Sequence, residues 1–172
     1  MRQNKNLPIQ MGLMYGACLG VVVIGIGMMR YATGMILRGD QTLSYVYWGI
    51  FAMTIFFAVF RFKRLDPQSF SFNRTIWIGL LAGLVSGAMY TVYIVILNNY
   101  IDTELSSKII QLNERELARS NPELSKVEIA DSLKVTKLSS AARGLIYTLV
   151  CITCGIAYSF LSTLAAKRLS TT

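Results

Sequence analysis

Histidine is missing from this chain altogether. Cysteine occurs three times, as Cys18, Cys151 and Cys154, all within apolar stretches and none in a connecting segment. An odd count without a loop cysteine argues against a disulfide framework. Without histidine, and with one lone Cys-x-x-Cys pair (Cys151, Cys154), no zinc site can be assembled in the usual way. That pair also lacks the strand, turn and helix of a thioredoxin-like site, so the cysteines read as small packing residues. No nucleophile stands with a base, and the expected catalytic, cofactor-binding and metal-binding residues are therefore none. Charge is sparse too. Only 15% of residues are Asp, Glu, Lys or Arg, against about 25% in soluble domains.

What fills the chain instead is apolar. Four stretches, 9–29, 43–60, 76–97 and 145–166, hold no charged residue. A helix needs about 20 mostly apolar residues to cross a hydrocarbon core of roughly 30 Å. Three stretches meet that length and 43–60 is slightly short. The expected fold is all-α: a polytopic membrane protein with four transmembrane helices, forming one membrane unit over residues 1–172. The first stretch exceeds the roughly 7–15 apolar residues of a signal peptide, and Met28-Met29-Arg30-Tyr31 is a poor cleavage site. It is expected to remain as an anchor.

The net charge of +8 would suggest nucleic acid in a soluble protein. Here Lys and Arg gather just outside apolar stretches, which is the pattern of topogenic charge, and no nucleic-acid partner is expected. With four spans, the N-terminus, second loop and C-terminus share one side. They carry eight Lys and Arg residues (Arg2, Lys5, Arg61, Lys63, Arg64, Arg74, Lys167, Arg168) against Arg30 and Arg38 in the first loop. Both termini are expected in the cytoplasm, with the lipid bilayer as the chain's surroundings. The third loop runs against this, since Lys134, Lys137 and Arg143 lie near the fourth span. Tyr45, Tyr47, Trp48, Trp77 and Tyr100 stand at span ends, where interfacial aromatics belong.

Small residues mark helix-packing faces. Gly12, Gly16 and Gly20 recur every fourth residue in the first span, and Gly79, Gly83 and Gly87 do so in the third. Such spacing aligns three glycines on one face and lets two backbones approach, as in a glycine zipper. Two matching ridges in one chain favour internal contact of the first span with the third. A homo-oligomer is the alternative. Gly155, Ser159 and Thr163 form a weaker ridge in the fourth span.

The loop 98–143 is too long for a plain connection. Leu105, Ile109 and Leu112 share a helical face, and Ser120-Asn121-Pro122 should end that helix. Ser125 and Glu128 then form a capping box, with Leu124 and Ile129 as a staple. An extramembrane helical hairpin is expected between spans 3 and 4, with Ser139-Ser140 capping the start of the last span. Its seven basic and seven acidic residues balance. It is either a solvated cap or a docking surface for a membrane or envelope protein partner or for lipid headgroups.

The order of these features resembles a bacterial four-span membrane family, domain of unknown function 4199, typical of Bacteroidetes-type bacteria. The resemblance rests on Met11-Gly12-Leu13-Met14-Tyr15-Gly16, a short second span and a basic loop ending in Ser69-Phe70-Ser71-Phe72. It continues through Ile78-Gly79-Leu80-Leu81-Ala82-Gly83, Leu124-Ser125-Lys126-Val127-Glu128-Ile129 and a last span rich in small residues. It implies four helices in a bacterial membrane and carries no catalytic residue with it. The function expected is a non-enzymatic structural or interaction protein of the cell envelope. The alternative is a transporter or channel subunit using uncharged groups such as Thr54, Ser86, Tyr90, Thr91, Tyr93, Thr148, Tyr158 or Ser159.

Overall fold

In the computed structural model, which describes residues 6–120 and 138–168, five α-helices account for most of the described residues. Four are long and apolar enough to span a bilayer: α1 (Leu7–Ala32), α2 (Thr42–Leu65), α3 (Phe72–Ile96) and, after the shorter α4 (Leu105–Ser120), α5 (Ser140–Arg168). The protein is an integral, multi-pass membrane protein.

Each helix outruns its charge-free stretch. At about 1.5 Å per residue, the 29 residues of α5 reach roughly 43 Å. Hydrocarbon alone demands about 30 Å. The surplus turns carry Arg30, Arg61, Lys63, Arg64 and Arg143, whose long stems can lie along apolar surface while their heads reach the interface. The second span, slightly short by its charge-free length, becomes a 24-residue helix in this way.

The loop helix α4 carries the face of Leu105, Ile109 and Leu112 and stops at Ser120, where it is expected to end, and Ser139 Oγ accepts a hydrogen bond from the Ala142 N–H at 3.3 Å to open α5. The hairpin's expected second arm, with Ser125, Glu128, Leu124 and Ile129, lies outside the described residues.

The spans form a ring in the order α1, α3, α5, α2. Two kinds of packing build it. On α2, bulky side chains make the core stripe: Tyr47, Phe51, Ile55, Val59 and Phe62 recur every three or four residues and are buried. This corrects one expectation. Tyr45 is 74% exposed, as a belt residue should be, but Tyr47 is 2% exposed and points into the core.

Along α1, α3 and α5 small residues bring the backbones together. Here a second correction arises. The two glycine ridges do not meet each other. Gly12, Gly16 and Gly20 press on Ile78, Leu81, Ala82, Val85 and Met89 of α3. Gly79, Gly83 and Gly87 lie instead against Gly155, Cys151 and Thr148 of α5. The weaker ridge of the fourth span is thus the partner of the third, because α3 has two packing faces and its glycines occupy only one.

Threonine hydroxyls bind the same seam across its length. Thr75 and Thr163 are 2.8 Å apart near one end, and Thr91 and Thr148 are 3.0 Å apart towards the other. Interhelical hydrogen bonds of this kind supply glue where lipid offers no hydrophobic drive. At the first end, Lys63 Nζ donates to the Ala166 carbonyl near the C-terminus of α5. A cation there also complements the helix dipole.

Candidate functional site

The opposite end of the ring is not filled. A cavity of about 220 Å³ lies there, and all five helices contribute to its wall. From α1 come Val23, Ile26, Gly27 and Arg30. From α2 come Ser44, Tyr47 and Trp48, and α3 adds Tyr90, Tyr93 and Ile94. Ile36 enters from the first loop, Leu105 and Ile109 from α4, and Arg143 and Tyr147 from α5.

Local geometry explains how these residues converge. Beyond Ile96 the backbone of α3 widens into a π turn, Leu97–Ile101, closed by the Asp102 N–H on the Leu97 carbonyl at 2.8 Å. The extra residue per turn lets Leu97 and Asn98 both face inward, and both are buried. Asn98 then fixes α4. Its amide donates to the Ile94 carbonyl at 2.8 Å, while its Oδ1 accepts from Ser106 Oγ at 2.6 Å. Arg143 Nη2 donates to that same Ser106 Oγ at 2.6 Å. One chain of polar contacts thus ties α3, α4 and α5 over the cavity. Leu105 completes the attachment as the one fully buried residue of α4.

On the facing side, Arg30 Nη2 donates to the Asp40 carbonyl at 3.0 Å. The Asp40 carboxylate accepts from the Thr42 N–H at 2.9 Å and so caps the start of α2. That hydrogen bond, with further help from Arg30 and Arg38, holds Asp40 below the usual carboxylate range. At α4, Asp102 accepts from the Tyr31 hydroxyl at 3.4 Å, and Lys108 lies 3.8 Å from Asp102 and 3.2 Å from Glu104. Hydrogen bonding to Glu104, then the charge of Asp102, holds the Lys108 ammonium above its usual range. The nearby carboxylates are therefore committed elsewhere. Neither Arg30 nor Arg143 is ion-paired with one among the described residues. Each retains a buried Nε–H without a hydrogen-bond partner, as does the Tyr93 hydroxyl.

The remaining wall is aromatic. Tyr90 and Tyr147 pack tilted at 4.2 Å between ring centroids, Trp48 lies 6.1 Å from Tyr147, and Tyr93 lies 6.0 Å from Tyr90. Gly27 makes room for this arrangement, since a Cβ there would stand 2.6 Å from the Tyr93 ring.

Residues 12–166 match the family model of the protein of unknown function DUF4199. The chain belongs to this family. The DUF4199 match takes in all four spans, α4 and every residue of the cavity wall. No curated protein and no solved structure matches the chain.

Of the uncharged groups considered for transport, only Tyr90 and Tyr93 reach the DUF4199 cavity. Ser86, Thr91, Thr148 and Ser159 belong to the α3–α5 seam, where Ser86 Oγ donates to the Gly83 carbonyl and Thr148 to that of Gly144. Thr54 lines a groove on the outside of α2, and Tyr158 packs at 6.1 Å from Phe51. The six packing glycines all lie at helix contacts away from the cavity. Sequence reasoning missed Arg30 and Arg143 by counting them as loop charges.

Proposed function

We propose that this DUF4199 protein is a non-enzymatic interaction protein of the bacterial cytoplasmic membrane. It keeps both termini inside the cell and presents the α4 end of its bundle outside. The observation that carries this reading is the polar lining of the cavity. Among the described residues its groups are two guanidiniums, tyrosine hydroxyls, a serine hydroxyl, an amide and an indole N–H, with no carboxylate, thiol or ammonium. A guanidinium stays protonated and cannot serve as a base. Acid–base catalysis works best with a group that titrates near the operating pH. A lining of this composition suits holding a molecule and not converting it.

Over that cavity, α4 supplies a stationed surface. Its inner side is fixed through Leu105 and Ser106, while Lys108, Gln111, Arg115, Glu116 and Arg119 are exposed on its outer side. Such a charged face, held at one angle, is suited to a protein partner. A route for transport through a single chain would have to pass the bundle interior, which Phe51, Ile55, Val59 and Phe62 fill.

A photo-crosslinking residue at position 111 or at position 64, in the native host, tests the reading. A discrete protein adduct from position 111 and none from position 64, at the opposite end, is expected. Equal adducts from both positions, or none from either, would contradict it.

A further inference from the structure

We propose that the cavity beneath α4 binds the oxyanion head of an amphipathic molecule, a phosphate or carboxylate carried on an apolar body. Arg30 and Arg143 bring two permanent positive charges to one partly open cavity from opposite sides of the ring. Both side chains are half-buried, and neither is ion-paired with a carboxylate among the described residues, Asp40 acting on Arg30 only from a distance. Each guanidinium is already aimed. One Nη2 of Arg30 is held by the Asp40 carbonyl and one of Arg143 by Ser106, which fixes both forks while their buried Nε–H groups stay unused. A fork with free N–H donors is the form in which arginine recognises phosphate and carboxylate.

The rest of the wall specifies the rest of the ligand. Ile26, Ile94, Trp48 and the closely packed Tyr90–Tyr147 pair present apolar surface beside the two charges. An apolar cavity of about 150 Å³ accommodates benzene. The 220 Å³ here leaves space for an oxyanion and a small ring or a few methylenes. The Tyr93 hydroxyl, also without a partner, offers one further donor. Free inorganic phosphate would leave the aromatic wall unmatched, and an uncharged apolar ligand would leave the arginines unmatched.

Two sources carry this chemistry. One is the headgroup region of an anionic phospholipid, since Arg30 and Arg143 sit near the ends of their spans, at the depth of lipid headgroups. The other is a soluble acid with an apolar body. The full chain in phosphatidylcholine nanodiscs separates them. In one arm, phosphatidylglycerol replaces part of the lipid; in the other, phenyl phosphate is added to the solution. The readouts are the thermal midpoint and the fluorescence of Trp48, isolated in a Trp77→Phe background.

One arm is expected to raise the midpoint and change Trp48 emission. Arg30→Gln or Arg143→Gln should weaken the apparent affinity about tenfold, the cost of losing a charged hydrogen bond. Arg38→Gln, which removes an exposed charge at the same end, should leave it unchanged. If the glutamine variants fail to fold, Arg30→Lys and Arg143→Lys take their place. These keep the charge but lose the fork, and a several-fold weakening is expected from each. No response to either source, or equal weakening by Arg38→Gln, overturns the proposal. These readouts do not involve the outer face of α4, so failure here is distinguishable from failure of the protein-partner reading.

Discussion

At the scale of single residues, glycine has two different meanings in this bundle. A Cβ on Gly79 would run into the Gly155 carbonyl, and one on Gly155 would run into that of Gly79. Neither obstacle can move without separating α3 from α5. Gly79→Ala is therefore expected to destabilise the bundle by about 1–3 kcal/mol, the usual cost of overpacking. Gly25, with nothing within 4 Å of its would-be Cβ, should accept alanine neutrally or gain up to about 1 kcal/mol from helix propensity. Reversible unfolding of the two variants in mixed detergent micelles checks the contrast. The glycines could be read as packing residues from their spacing alone. Their partners could not, because a period of four identifies a face on one helix and says nothing of which helix covers it. The arginines posed a different difficulty. A guanidinium at a span end looks the same in sequence whether it faces water or a cavity.

At the scale of elements, α2 contrasts with its neighbours. Its buried stripe of Tyr47, Phe51, Ile55, Val59 and Phe62 holds the ring by filling volume and not by close backbone approach. Phe51→Ala should cost about 1–3 kcal/mol. The value is smaller than in a water-soluble core because lipid is as apolar as the site, so the void dominates. Phe57→Ala, at a 61% exposed position facing lipid, should cost little. The same unfolding assay compares them.

For α4 the expectation concerns motion. Asn98→Ala removes the acceptor of Ser106 and frees the π turn, so amide exchange over Leu105–Ser120 should quicken while α3 and α5 keep their protection. Unchanged exchange in α4 would show that the polar chain does not hold it. The helices themselves were legible in sequence from the charge-free stretches. Their ends were not, since Lys and Arg can extend a spanning helix past the hydrocarbon by turning their heads outward.

The whole molecule is a ring that is closed by small residues along α1, α3 and α5 and hollow at its α4 end. Four spans and a long third loop follow from hydropathy and length, which is why the architecture was readable early. A cavity assembled from five helices depends on every crossing angle at once, and no local pattern encodes it. Orientation gives the prediction at this scale. A cysteine at position 111, in a chain with Cys18, Cys151 and Cys154 replaced by Ala, should react with a membrane-impermeant maleimide in intact spheroplasts. One at position 64 should react only after lysis. The reverse pattern would turn the assigned topology over and place the two arginines on the cytoplasmic side.

All of this presumes that hydrocarbon surrounds the outer faces of α1, α2, α3 and α5. Extraction of native-host membranes with alkaline carbonate, followed by ultracentrifugation, tests that most directly. The full chain is expected to remain in the pellet with the lipid. Its release into the supernatant would contradict the account.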